Sequence, residues 1–163
     1  MNRRLKPSVL LGFLLGIVVA ACGAPSATST IPDSSGTEPT VIALTQTGCQ
    51  FLETEVQNHQ FMPASAADCN QINSDTLAER EPEFKPLELA AGDYIFRVTN
   101  QNVPYELGFF LRGKGAGGAA LPRVSGGGLT EGVTQDYLVS LRPGDYVFSC
   151  PLNPTPDYPL VVQ

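Results

Sequence analysis

Histidine is almost absent from this chain of 163 residues, in which His59 is the one imidazole. Hydrolysis by a cysteine or serine nucleophile needs a base beside that nucleophile, and nitrogen-ligated metal sites combine several histidines or cysteines at short spacing. His59 has no such neighbour in the sequence. The chain therefore offers no catalytic constellation, and we do not expect an enzyme.

Helical periodicity is also absent beyond residue 22, apart from one short stretch. Residues 74–81 predict a short helix, which Ser74 or Asp75 would cap and Pro82 would stop. The 16 glycines and 14 prolines instead suit strands joined by many turns. The glycine cluster at 125–128 lacks the lysine and the strand–helix context of a phosphate-binding loop, so we interpret it as a turn.

Basic residues are few, and three of the ten lie among the first six positions. The remaining seven stand against 16 acidic side chains, all of which follow Cys22, so residues 22–163 carry a net charge of −9. This charge argues against nucleic acid or an anionic bilayer surface as a partner. It is compatible with a basic protein partner or a cation, and equally with a role in solubility.

The first 22 residues combine a basic start with an apolar core at 9–20, which is too short to span a bilayer comfortably. Ala20 and Ala21 precede Cys22, and this pattern resembles the lipobox of bacterial lipoproteins. The resemblance implies a signal peptide over 1–21 and acyl chains of the palmitate type on Cys22. The domain would then be anchored to a bacterial membrane and face the periplasm or the cell exterior. The alternative is an ordinary cleaved signal followed by a chance cysteine.

A stretch rich in Ser, Thr, Pro and Gly follows, and we interpret residues 22–44 as the lipidated cysteine and a flexible linker. The domain is predicted over 45–163. It contains Cys49, Cys69 and Cys150, and outside the cytoplasm these allow one disulfide and one unpaired thiol. We favour the local pair Cys49–Cys69. The alternative is a disulfide from Cys150 to one of the other two.

The strongest indication of the fold is an internal echo, that is, two similar segments within the sequence. Ala91-Gly-Asp-Tyr-Ile-Phe-Arg-Val98 is similar to Pro143-Gly-Asp-Tyr-Val-Phe-Ser-Cys150, and each segment has a Gly-Asp turn followed by alternating residues. Cys150 takes the place of Val98 on the apolar face. Further strands are predicted at 84–89, 103–112, 135–141 and 160–162, and an N-terminal one within 47–57. Residues 58–83 then form an irregular insertion.

The order of these motifs resembles the cupredoxin family, which includes plastocyanin and azurin. The motifs are a Phe-x-Pro-Leu-x-Leu strand at 84–89, the Gly-Asp turn, Val103-Pro-Tyr105, Pro143-Gly-x-Tyr-x-Phe-x-Cys150, a proline-rich loop and a final Leu-Val-Val strand. The resemblance covers roughly residues 84–163. It implies an all-β, cupredoxin-like Greek-key β-sandwich, here with an irregular insertion and one short helix.

The resemblance also implies where copper ligands would lie. Blue-copper members use two histidines, a cysteine and a weak methionine. Cys150 matches the cysteine, but Tyr105 stands at the first histidine. The loop that should hold the second histidine and the methionine offers Asn153 and Tyr158 among its residues, and neither ligand. One ligand of four is present, so we expect no type 1 copper centre and favour no cofactor.

Two hypotheses for the function follow. The favoured one is a non-enzymatic binding or accessory module for a protein partner, whose contact loops contain Tyr105, Asn153 and Tyr158. The alternative is a copper carrier or electron-transfer protein with an atypical site. Its candidate ligands are Cys150, His59, Met62, Tyr105 and Glu106.

Overall fold

The computed structural model describes residues 38–163. The predicted signal peptide, Cys22 and the linker up to residue 37 lie outside the described residues. The strands are β1 (Thr40–Thr47), β2 (Gln50–Phe51), β3 (Leu87–Leu89), β4 (Gly92–Asn100), β5 (Leu107–Gly113), β6 (Val124–Leu129), β7 (Thr134–Leu141), β8 (Gly144–Ser149) and β9 (Tyr158–Val162). The helix α1 spans Ala66–Arg80, and short 3-10 turns occupy Glu81–Glu83 and Ala116–Ala120.

Two sheets face each other across one core. The first has the order β2-β1-β4-β7 and the second the order β3-β9-β8-β5-β6. The β1–β4 and β3–β9 pairs are parallel, and the other pairs are antiparallel. The predicted β-sandwich with one helix is thereby confirmed.

The internal echo provides the facing sides of the core. Tyr94, Phe96 and Val98 are buried along β4, and Tyr146, Phe148 and Cys150 are buried along and just after β8. Alternation along each strand sends these side chains into the core. Their neighbours lie on the opposite face, which is partly exposed along β4 but also buried at Val147 and Ser149 of β8. The predicted equivalence of Cys150 and Val98 is confirmed, since both are fully buried. Aromatic rings fill the space between the sheets, and Phe51, Phe148 and Tyr158 contact one another at centroid distances of 5.2–5.7 Å.

Several sequence predictions need correction. The glycine cluster at 125–128 is not a turn: it lies within β6 and pairs with β5. β1 begins at Thr40 and pairs with β4, so residues 40–44 belong to the sandwich and not to the linker. The predicted range 47–57 contains the two-residue strand β2, and the long N-terminal strand β1 lies before it. The helix is longer than 74–81: it starts at Ala66 because the Asp68 carboxylate accepts hydrogen bonds from the N–H groups of Ala64 (2.8 Å) and Ser65 (2.9 Å). The supposed irregular insertion is thus largely this helix.

A buried ion pair attaches the helix to the sandwich. Arg80, in the last turn of α1, reaches both carboxylate oxygens of Glu55 at 3.0 and 3.2 Å. The Tyr158 hydroxyl of β9 also donates to this carboxylate, and His59 Nε2 lies 3.1 Å from it. Charges removed from water in this way need full pairing, which the shared contacts supply.

The described part of the chain contains no helix long and apolar enough to cross a bilayer.

Replacing Arg80 by alanine would leave the Glu55 carboxylate buried without its main partner, since the two side chains are only 5% and 1% exposed. We expect a loss of about 3–5 kcal/mol in the free energy of unfolding, measured by urea denaturation. The matched control is Arg97→Ala, which breaks an ion pair with Asp136 whose side chains are 48% and 44% exposed. Its urea midpoint should change little. Equal shifts in the two variants would contradict the role assigned to Glu55.

Candidate functional site

One end of the sandwich gathers the positions that the sequence singled out around Cys150. The thiol is fully buried, and its Sγ accepts hydrogen bonds from the N–H groups of Gly108 and Asn153, both at 3.2 Å. Burial raises the pKa of the Cys150 thiol above its usual value, although the N–H donors oppose this shift. The group is therefore a protonated, packed thiol in the folded protein at neutral pH.

Tyr105 and Asn153 meet directly beside this thiol. The Tyr105 hydroxyl donates to Asn153 Oδ1 at 2.8 Å, and Asn153 Nδ2 donates to the carbonyl of Thr47 at 3.0 Å. Burial, followed by the nearby Cys150 and Asp68, raises the pKa of Tyr105 to about 12. The side chains at the presumed ligand positions are thus neutral and hydrogen-bonded to the protein itself.

The loop that carries Tyr105 is held by the side chain of Asn100. Its Nδ2 donates to the carbonyls of Val103 (3.1 Å) and Leu129 (3.0 Å), and its Oδ1 accepts from the N–H of Val103 at 3.0 Å. This buried amide fixes a loop that has no regular secondary structure of its own.

A disulfide lies against the same cluster. Cys49 and Cys69 are bonded, as predicted, and both are fully buried. Cys69 Sγ lies 3.0 Å from Asn153 Oδ1 and 3.7 Å from the Tyr105 hydroxyl. Helix α1 is therefore fastened covalently at its N-terminal turns beside Tyr105 and Asn153. Cys150 is the unpaired cysteine among the described residues.

Of the candidate ligands of the copper alternative, Tyr105 lies near Cys150, whereas His59, Met62 and Glu106 have other surroundings. His59 contacts the Glu55 carboxylate, the Met62 side chain is 94% exposed, and Glu106 Oε1 accepts from the N–H of Gly128 at 2.8 Å. Within residues 38–163 there is no group of three His, Cys, Asp or Glu side chains placed to hold a metal ion.

The donor set around Cys150 does not fit a type 1 copper centre. Such a centre combines a thiolate with two imidazoles, whereas the Cys150 Sγ accepts hydrogen bonds from two backbone N–H groups and has the Tyr105 phenol nearby. The Tyr105 hydroxyl already donates to Asn153 Oδ1. A metal ion would have to break the Tyr105–Asn153 contact and remove the thiol proton.

The predicted partner-contact loop is wrong for two of its three residues. Asn153 and Tyr158 are fully buried, and only Tyr105 retains partial exposure. Tyr158 begins β9, so its ring points into the core against Phe148 while its hydroxyl bonds Glu55. This burial raises the pKa of Tyr158. These two residues cannot contact a partner without unfolding of the sandwich.

A groove that the sequence did not indicate lies at the same end. Its volume is about 610 Å³, and it is lined by residues from three segments, 47–48, 58–64 and 101–104. Gly48 allows the segments to approach, because a Cβ there would lie 2.2 Å from the carbonyl oxygen of Phe61. In the sequence, only Asn102 could have indicated an unusual loop here, because asparagine tolerates the left-handed backbone that it adopts (φ 65°).

No protein-family model matches this chain, and no curated protein matches it. A solved structure of an oxidized point mutant of amicyanin is similar to it, with 19% sequence identity and a TM-score of 0.33 over 48% of this chain and 69% of that one. A TM-score this low supports no argument about fold or function, and the two-sheet architecture rests on the observed strand pairing alone.

The raised pKa values predict a loss of stability in alkaline solution. The unfolded chain loses thiol and phenol protons near pH 9 and 10. In the folded chain burial raises the pKa of the Cys150 thiol, and it raises the pKa of Tyr105 to about 12. The folded state then binds more protons, so the urea midpoint should fall as pH rises from 9 to 12. Tyr105→Phe should lower stability at pH 8 but flatten this decline. An unchanged decline in the variant would show that Tyr105 titrates normally.

Proposed function

We propose that this chain is a non-enzymatic binding module, tethered by lipid on Cys22 at the outer side of a bacterial membrane and working without a type 1 copper centre. One observation carries the proposal. The Tyr105–Asn153 hydrogen bond places neutral side chains, already bonded to each other, near the buried Cys150, where a type 1 copper centre would need imidazole ligands. This end of the sandwich therefore supports a binding module better than a copper protein. The cupredoxin-like assignment of the sandwich belongs to the same proposal.

The course of β1 places the start of the described domain far from the groove. The strand enters at Thr40 and reaches the Cys150 end near Gln46, whose Nε2 donates to the carbonyl of Gly108 at 2.9 Å. Eight extended residues span roughly 25 Å. A linker that precedes Thr40 would therefore join the sandwich at the end opposite the groove.

Copper loading tests the function assigned to the Cys150 end. We expect the full-length chain to show no intense thiolate-to-copper absorption band with Cu(II) and to retain no Cu(I) at Cys150 after desalting under reducing conditions. The reason is that the thiol is buried, protonated and without imidazole neighbours. Cys150→Ser is the control. Stoichiometric copper that is lost in this variant would overturn the binding module in favour of a copper protein.

Membrane attachment tests the tether. The full-length chain should partition into the detergent phase of a phase-separation assay, and intact mass should show acyl chains on Cys22. Cys22→Ser should move the protein to the aqueous phase, whereas Cys150→Ser should leave its partition unchanged. Retention of Cys22→Ser in the detergent phase would exclude lipid on this cysteine as the anchor.

A further inference from the structure

The groove is the place where the described backbone departs most from ordinary geometry. Three residues other than glycine adopt positive φ within residues 38–163: Cys49 (61°), Gln60 (56°) and Asn102 (65°). Gln60 and Asn102 line the groove, and Cys49 follows Gly48, which also lines it. Backbone strain of this kind persists only where the surroundings enforce it, and it concentrates at sites that bind ligands.

The apolar part of the groove is fixed from behind. The ring of Phe61 stacks on His59 at 5.3 Å and lies 5.1 Å from the Arg80 guanidinium, which is itself held by Glu55. Met62 follows and is 94% exposed. A rigid aromatic ring beside a flexible, polarizable thioether makes a contact surface that adapts to apolar side chains at low cost in entropy.

The walls are also held by hydrogen bonds. Gln50 is buried against the start of the 58–64 segment. Its Nε2 donates to the carbonyl of Gln57 at 3.1 Å, and its Oε1 accepts from the N–H of His59 at 2.9 Å. On the other side, the N–H of Gln101 donates to the carbonyl of Gln46 at 2.8 Å. The groove is therefore formed before any ligand arrives, which reduces the ordering cost of binding.

The rim consists of carboxamides and contains no charge. The four amide side chains are those of Asn58, Gln60, Gln101 and Asn102, and no Asp, Glu, Lys or Arg in the described chain lines the groove. This is notable because residues 22–163 carry a net charge of −9. A ligand with bare charges would find no counter-charge here, so the lining complements an uncharged ligand.

The wall also holds an unsatisfied polar group. Thr47 lines the groove and is more than nine-tenths buried, and its hydroxyl has no hydrogen-bond partner within the described residues. A buried hydroxyl without a partner is costly in a dry wall.

We infer that the groove binds an extended, uncharged peptide segment that inserts one apolar side chain beside Phe61 and Met62. The inference rests on the proposed function, for which it names the ligand. Each carboxamide offers a donor and an acceptor, as each peptide group of an extended chain does. A neutral sugar would instead set hydroxyl groups against the side chains of Met62, Pro63 and Pro104, which offer no strong hydrogen-bond partner. The volume falls within the range of about 300–1,000 Å³ that is usual for ligand sites.

The test uses the full-length chain in lipid nanodiscs and three probe sets. The first is an array of capped nine-residue peptides without charged residues, each with a central Leu, Met, Phe or Tyr. The second replaces the central residue by Asp or Lys, and the third is an array of neutral oligosaccharides. We expect binding to the first set only. Met62→Asp should weaken it on the order of tenfold or more, as loss of a contact in the binding centre does.

Two control variants separate the groove from the rest of the surface. Leu138→Asp adds the same charge at a side chain that is 65% exposed on the outer face of β7, and it should leave peptide binding unchanged. Met62→Leu should retain binding. The inference is overturned if no peptide binds, if Met62→Asp binds as well as the unaltered chain, or if oligosaccharides bind in place of peptides.

This outcome is independent of the copper measurement. If no peptide binds and no copper is retained, the peptide ligand is wrong but the proposed binding module stands. If copper is held at Cys150, the proposed binding module itself is wrong.

Discussion

The Glu55 carboxylate is the group on which the arrangement of this domain depends. It lies almost without exposure between Arg80 of the helix, Tyr158 of the sandwich core and His59 of the segment before the helix. Because one buried anion requires all of these donors at once, it fixes three parts of the chain relative to one another. Arg80 in turn lies against Phe61, so the groove wall is positioned by the same charge.

The disulfide and the ion pair divide the attachment of the helix between its two ends. Cys69 fastens the first turns to the hairpin at Cys49, and Arg80 fastens the last turn. Between them the helix exposes mostly polar residues, so apolar burial contributes little to its docking. The cluster of Tyr105, Asn153 and Cys150 lies beside the disulfide and is held by its own hydrogen bonds. Its packing therefore adds to the attachment at the first turns of the helix.

The sequence predicted the sandwich well because alternation is a local pattern. The Gly-Asp turns and the alternating residues after Tyr94 and Tyr146 define core strands without knowledge of their partners. The helix start was missed because α1 buries only Cys69 and Arg80 and so has no apolar periodicity. The groove could not be predicted, because it joins segments far apart in sequence. The burial of Tyr158 was missed for the same reason, since its partner Glu55 lies 103 residues away.

The parallel pairing of β1 with β4 has a mechanical consequence. Seven consecutive residues of β1, from Thr40 to Gln46, pair in register with Tyr94 to Asn100. A load applied between the N-terminal end of β1 and the groove runs along this strand, perpendicular to its ladder of backbone hydrogen bonds. Such a ladder is sheared as a whole instead of being peeled apart one bond at a time. The Cys49–Cys69 bond transmits the load to the helix. A domain pulled between its two ends therefore resists extension through the β1–β4 ladder and this covalent bond together.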